Sequence, residues 1–309
     1  MLTLLDCCDT LQLLNFPVVE QNGPHEALGI THLFSVAMRP EAEDWLRLEC
    51  RLIGGVSRNK ISLWNVIHHN NHFFPYGQFY ITPDKSICFG ARLPMQLFGH
   101  IPADRVVYEM YRAAESHFRL LQSDFTELPF EEAEVKNNLF SLLRGEITAP
   151  ELPDYPSREE AAFILDELIG QVTDTDTLFR ISPYEYTLTG EYLTTITIEP
   201  RSKLRQHSQL PNWHLGIRTD VGVLDSTDDR LWVLFNRLNH STYLLGHYLR
   251  YMNRKPLVGL NTELTADFLD HPDLIRKTLR RHQAAARQLT DQLRHPYAIQ
   301  SVINFNLGL

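Results

Sequence analysis

Cysteine is scarce in this chain, and its placement excludes most of the chemistry that cysteine performs. Cys7 and Cys8 are adjacent, Cys50 and Cys88 sit in strand-like runs, and no CxxC pair occurs. Structural thiols are expected from that pattern, rather than disulfides, zinc ligation or redox chemistry. Long apolar runs are also missing: nothing approaches the roughly 20 residues needed to span a bilayer. The opening Met1-Leu2-Thr3-Leu4-Leu5-Asp6 has no basic region leading to a cleavage site, so a cytoplasmic location and no membrane partner are expected. Basic charge is in deficit, with a net charge of −9 over 309 residues. Much of the excess lies in residues 124–157, which carry eight acidic side chains against two basic ones. Such a segment reads as a solvated connector and speaks against nucleic acid as a partner. No Walker loop, dinucleotide glycine fingerprint, nucleophile elbow or paired-carboxylate spacing is present. Neither enzymatic activity nor a cofactor is expected, and a hydrolase assembled from scattered Ser, His and Asp residues is the remote alternative.

What the chain does have is a copy of itself. Trp45 and Trp64 are 19 residues apart, and so are Trp213 and Trp232, which are all the tryptophans there are. Gly54 and Gly222 each follow the first Trp of a pair by nine residues. Gly77 with Gly90, and Gly246 with Gly259, repeat a spacing of thirteen, and Asp104 and Asp273 each open a long helical pattern. A duplicated module is the direct reading. The boundaries are expected at 1–123 for the first copy, 124–157 for an acidic, proline-containing linker with a short helix, and 158–309 for the second copy with a tail.

Within each copy the periodicities follow one order. Leu4, Cys8, Leu11 and Leu14 recur at helical steps, and Phe16-Pro17-Val18-Val19 breaks into extended chain. Residues 32–38 and 45–53 read as strands, the second with Leu46, Leu48, Cys50 and Leu52 alternating against Arg47, Glu49 and Arg51. A second helix over 59–72, a hairpin turned at Pro83-Asp84-Lys85, and a helix opened by Pro102 follow. In the second copy Ser157 with Glu160 forms a capping box, and strands are expected over 186–198 and 212–223. A hairpin over 243–251 and 257–261 comes next, then a long helix capped by Asp270. The tail 298–309 alternates enough to be a strand or an extended arm. The module therefore reads α-β-β-(β)-α-β-β-α, an α+β fold of helix, antiparallel sheet and helix.

Three motifs carry chemistry elsewhere. His68 and His72 lie one helical turn apart beside His69, but no acidic residue accompanies them as an HExxH site needs, so no metal is expected. His271-Pro272-Asp273 matches the J-domain tripeptide, yet the basic, tyrosine-bearing helix of a J-domain does not precede it; helix-start chemistry accounts for it. Arg276, Lys277, Arg280, Arg281 and Arg287, with Arg294, stud the final helix. They read as a solvated face, whose functional version docks an acidic partner or the linker acids Glu131, Glu132 and Glu134.

The order of elements, the Asn-rich second helix (Asn65, Asn70, Asn71), the hairpin Tyr80-Ile81-Thr82 with 87–94, and Pro102-Ala103-Asp104 together resemble the small chaperones of type III secretion and the related YbjN-like proteins. The second copy carries the likeness through Trp232, Asn236, Asn239, Gly246 and Asp273. The resemblance implies a non-enzymatic α+β protein that holds an extended segment of a client in secretion or assembly. It also implies a pseudo-dimer within the chain, or a homodimer. Leu11, Leu14, Phe16 and Val18, beside Phe34 and Val36, are the partner-binding candidates, against the plainer reading that all six are core. A scaffold subunit of a larger bacterial assembly is the alternative function.

Overall fold

The computed structural model describes residues 3–16, 18–20, 26–30, 35–41, 45–53, 78–84, 86–94, 103–108, 110–112, 114, 148, 150–151, 154–173, 177–200, 211–241 and 246–302. Its contacts separate two units, Met1–Glu151 with Asn236–Leu244, and Leu152–Phe235 with Leu245–Leu309. The linker helix expected near residue 130 lies outside the described residues.

In the first unit, helix α1 (Leu4–Leu13) opens with a capping box in which Thr3 and Asp6 satisfy each other's backbone N–H. It closes with a left-handed residue, Asn15, whose N–H donates to the Gln12 carbonyl while that of Phe16 donates to Leu11. That pair of bonds is a Schellman motif, and it folds Phe16 back over Leu11. Both side chains then press on Gly29, where an added Cβ would lie 3.0 Å from the Phe16 Cβ and 3.3 Å from Leu11. The sheet beneath comprises β1 (Val18–Glu20), β2 (Ala27–Ile30), β3 (Ser35–Glu41), β4 (Trp45–Ile53), β5 (Gln78–Ile81) and β6 (Ile87–Pro94). Its order is β1-β2-β3-β4-β6-β5, antiparallel throughout. Alternation decides the faces: Leu46, Leu48 and Cys50 are buried on one side, and Arg47, Glu49 and Arg51 stand on the other. Val106, Val107, Met110, Tyr111 and Ala114, in the helical residues 103–108, 110–112 and 114, are buried.

The second unit repeats the plan. Helix α2 (Arg158–Val172) carries the predicted Ser157–Glu160 capping box. Strands β7 (Leu178–Ser182), β8 (Glu185–Thr189), β9 (Leu193–Pro200) and β10 (Trp213–Val223) follow. Helix α3 (Asp229–Ser241), which from Asn236 on belongs to the first unit, is followed by β11 (Gly246–Met252), β12 (Lys255–Leu264), a short 3₁₀ turn over Ala266–Asp270 and helix α4 (Pro272–Tyr297). The sheet order β7-β8-β9-β10-β12-β11 matches the first unit strand for strand. Even the irregularity recurs: β4 slips against β6 between Arg51 and Ile53, and β10 slips against β12 between Asp220 and Gly222. Two like modules, each a helix flanking a six-stranded antiparallel sheet, are thus present.

Several expectations shift in detail. Four strands, β7 to β10, precede α3 rather than two or three, and four, β1 to β4, open the first module, whose expected helix over 59–72 lies outside the described residues. Residues 186–198 are a hairpin, because Gly190 and its neighbours turn the chain between β8 and β9. Gly90 pairs with Glu49, ahead of the bulge, whereas Gly259 pairs with Asp220 at the bulge itself, so these glycines do not hold equivalent positions. Asp270 ends the 3₁₀ turn; the N-cap of α4 is His271, without a side-chain cap bond, and Pro272 opens the helix. Gln300 forms a single antiparallel bridge to Val223, which gives the start of the tail its seat.

Candidate strand-accepting edge

A sheet of this order ends in two outer strands, and an outer strand leaves every second residue's N–H and C=O facing away from the ladder. On β5 the phase is set by the Thr82 N–H, which donates to the Ser86 carbonyl at 2.9 Å. Ile81, opposite Ile87, therefore points its backbone groups outward. Asn236 takes both: the Ile81 N–H donates to Asn236 Oδ1 at 2.8 Å, and Asn236 Nδ2 donates to the Ile81 carbonyl at 3.0 Å. A side-chain amide has the donor and acceptor geometry of a peptide group, so a single residue replaces one rung of a neighbouring strand.

The outer strand β7 is handled differently. The Thr189 N–H donates to the Thr177 carbonyl at 3.0 Å, which places Phe179 in a bonded pair with Thr187. Leu178 and Arg180 then turn their N–H and C=O groups outward, and among the described residues none takes them. Phe179 is 50% exposed and the bulged Ile181 is 60% exposed. On the helix side, Arg180 pairs with Asp166 at 3.3 Å, and the Tyr186 hydroxyl donates to the same carboxylate. The Tyr184 hydroxyl reaches Glu159 at 3.4 Å. Phe163 lies between Glu159 and Asp166 on that side of α2 and is 64% exposed. Apolar surface thus stands on both faces of an outer strand whose outward groups at Leu178 and Arg180 are unpaired among the described residues.

The interior of the second unit holds a polar chain. Thr194 and Thr219 hydroxyls meet at 3.0 Å; Thr219 bonds His282 Nδ1 at 3.0 Å, and Thr262 bonds Nε2 at 2.9 Å. His282 is fully buried, and burial pushes its pKa down to about 3, so the ring is neutral and donates through one nitrogen while accepting through the other. These bonds satisfy a buried ring across three strands and α4. On the opposite sheet face, His214 Nε2 stands 3.7 Å from Glu199 and 3.8 Å from Glu263, and Arg250 pairs with Asp220 at 2.7 Å. The first unit has a counterpart. Burial raises the Glu49 carboxyl, but bonds from the Tyr80 hydroxyl and from Arg47 at 2.7 Å outweigh it and hold the pKa below the usual carboxylate range. Among the described residues, no group of three His, Cys, Asp or Glu side chains is placed to hold a metal ion.

The sequence-derived candidates fall as follows. Leu11, Leu14, Phe16 and Val36 are buried in the first unit's core, and Val18 is half-buried. Phe34, and the histidines at 68, 69 and 72, lie outside the described residues. On α4, Lys277, Arg280 and Arg287 are exposed and Arg276 and Arg281 half-buried. Arg276 donates to the Gln171 carbonyl, which ties α4 to the end of α2, and Arg287 pairs with Glu191 at 2.7 Å. Those two contacts hold their own unit together. Sequence reasoning missed β7 and the His282 chain. The signal for the latter is a threonine at strand positions where alternation calls for an apolar residue.

The chain matches no protein-family model, and no curated protein matches it.

Proposed function

We propose that the protein holds an extended segment of a client or partner protein, received as an added strand along β7. The observation that carries this reading is the unpaired outer backbone of Leu178 and Arg180 flanked by exposed Phe179 and Ile181. Outer strands are ordinarily protected by charge, proline, or a covering element; an apolar, uncovered one is suited to strand addition. Each main-chain bond contributes about 0.5–1.5 kcal/mol net, and burying an aromatic ring adds about 1.5–3 kcal/mol. Those terms together suit reversible holding rather than permanent assembly. The reading agrees with the holding role implied by the resemblance to type III secretion and YbjN-like chaperones, with the contact placed on the second module.

Arg180→Pro tests it. Proline removes one outward N–H and leaves the ladder to β8 intact, because the Arg180 N–H takes no part in it. A neutral peptide of alternating threonine and valine should bind the native chain saturably, and the variant should bind it at least about tenfold more weakly at an unchanged Tm, a loss of about 1.4 kcal/mol. Equal binding by variant and native chain would remove β7 from the account.

A further inference from the structure

Resting on the reading of β7 as a strand-accepting edge, we infer that the segment it takes alternates basic and apolar side chains, the basic ones on the α2 side. A strand added beside β7 sends successive side chains to opposite faces of the sheet. One set meets Phe179, which is half exposed and carries no charge. The other set meets the flank of α2. That helix carries Glu159, Glu160, Asp166 and Glu167 against a single basic residue, Arg158. Arg158 is already engaged, donating to the Ile198 carbonyl at 3.0 Å and stacking 3.8 Å over the Tyr184 ring. Arg180 neutralises Asp166 alone. Glu159, Glu160 and Glu167 remain exposed, with Phe163 one turn from both Glu159 and Glu167. Lysine and arginine fit that surface in both their parts: the aliphatic stem lies on an aromatic ring while the charged head meets carboxylates.

Charge also decides against a second copy of the chain as the occupant. Antiparallel pairing of β7 with β7 would bring two acidic α2 helices to the same sheet face, like charge against like. A one-residue slip of the added strand exchanges its faces, so the pattern matters and not composition alone.

Calorimetric titration of the full-length chain with four capped heptapeptides tests the inference: alternating lysine–valine, alternating glutamate–valine, alternating threonine–valine, and a block arrangement of the lysine–valine composition. At low salt the alternating lysine–valine peptide should bind at least about tenfold more tightly than the threonine–valine peptide, with the gap shrinking several-fold as salt screens the carboxylates. Glutamate–valine should not bind. The double variant Glu159→Gln with Glu167→Gln should lose the preference and keep threonine–valine binding. Equal affinity for the lysine and threonine peptides overturns the inference and leaves the strand-accepting edge standing. So does a block peptide as tight as the alternating one, since that is charge without register. If no peptide binds, both this inference and the reading of β7 as a client-holding edge fall; self-association of the chain in sedimentation, abolished by Arg180→Pro, would then identify a second copy as the occupant of β7.

Discussion

β5 and β7 are both terminal strands of sheets with the same order, yet among the described residues the outward groups of Ile81 on β5 are occupied and those of Leu178 and Arg180 on β7 are not. At β5 a single asparagine amide replaces a rung of a neighbouring strand on Ile81. At β7 the equivalent groups of Leu178 and Arg180 face outward with phenylalanine and isoleucine beside them. The two modules share topology down to the bulge in the fourth strand, and β5 and β7 are outer strands at opposite ends of that shared order. Sheet order sets where an edge lies; local side chains decide whether it is closed.

That contrast can be broken in several places. The largest effect on binding is expected from Arg180→Pro, the loss of peptide affinity already described. The largest effect on stability is expected from His282→Leu, which strips the ring from Thr219 and Thr262 and should lower unfolding stability by about 1–3 kcal/mol. The same variant reports on pH. In the folded chain His282 titrates at about 3, whereas an unfolded histidine titrates near 6.5, so the unfolded state binds the extra proton between those values. Stability of the native chain should fall as pH drops from about 6.5 towards 3, with this one group contributing a slope of up to about 1.4 kcal/mol per pH unit. Urea titrations across that window should show the variant with a shallower slope; identical slopes would mean the ring is not held neutral. Asn236→Ala comes third. It leaves the Ile81 N–H and C=O without their partner and should cost about 1–2 kcal/mol. It should also sharpen the comparison by adding a second, weaker peptide site to the calorimetric stoichiometry; an unchanged stoichiometry would show that an occupied rung is not what separates the two edges. Arg287→Ala should change thermal unfolding least, with no measurable shift, since its ion pair with Glu191 lies in solvent.

The duplication was legible from the repeated tryptophan spacing, although Gly90 and Gly259 turn out not to be equivalent. β4 was legible because its strict alternation does not depend on context, a signal that β10, buried along nearly all its length, does not carry. Helix α2 was legible from its capping box. β7 was not: Leu178-Phe179-Arg180-Ile181-Ser182 exposes its apolar residues and carries a bulge, so neither alternation nor burial signals a strand. The place of Leu11, Leu14 and Phe16 follows from the Schellman turn at Asn15, which sends Phe16 inward; apolar spacing alone cannot tell a core face from a binding face. The His282 chain joins residues from β9, β10, β12 and α4, and only the fold brings them together. Asn236 was singled out for its place in a repeat, whereas its function at the β5 edge depends on a strand 155 positions away.

Amide hydrogen exchange along β7, with and without the alternating lysine–valine peptide, tests the central claim most directly. Without peptide, the Leu178 and Arg180 amides should exchange rapidly while that of Phe179, bonded within the ladder, is slowed; with peptide, all three should be protected. Protection at Leu178 and Arg180 before any peptide is added, or none after saturation, would contradict the account.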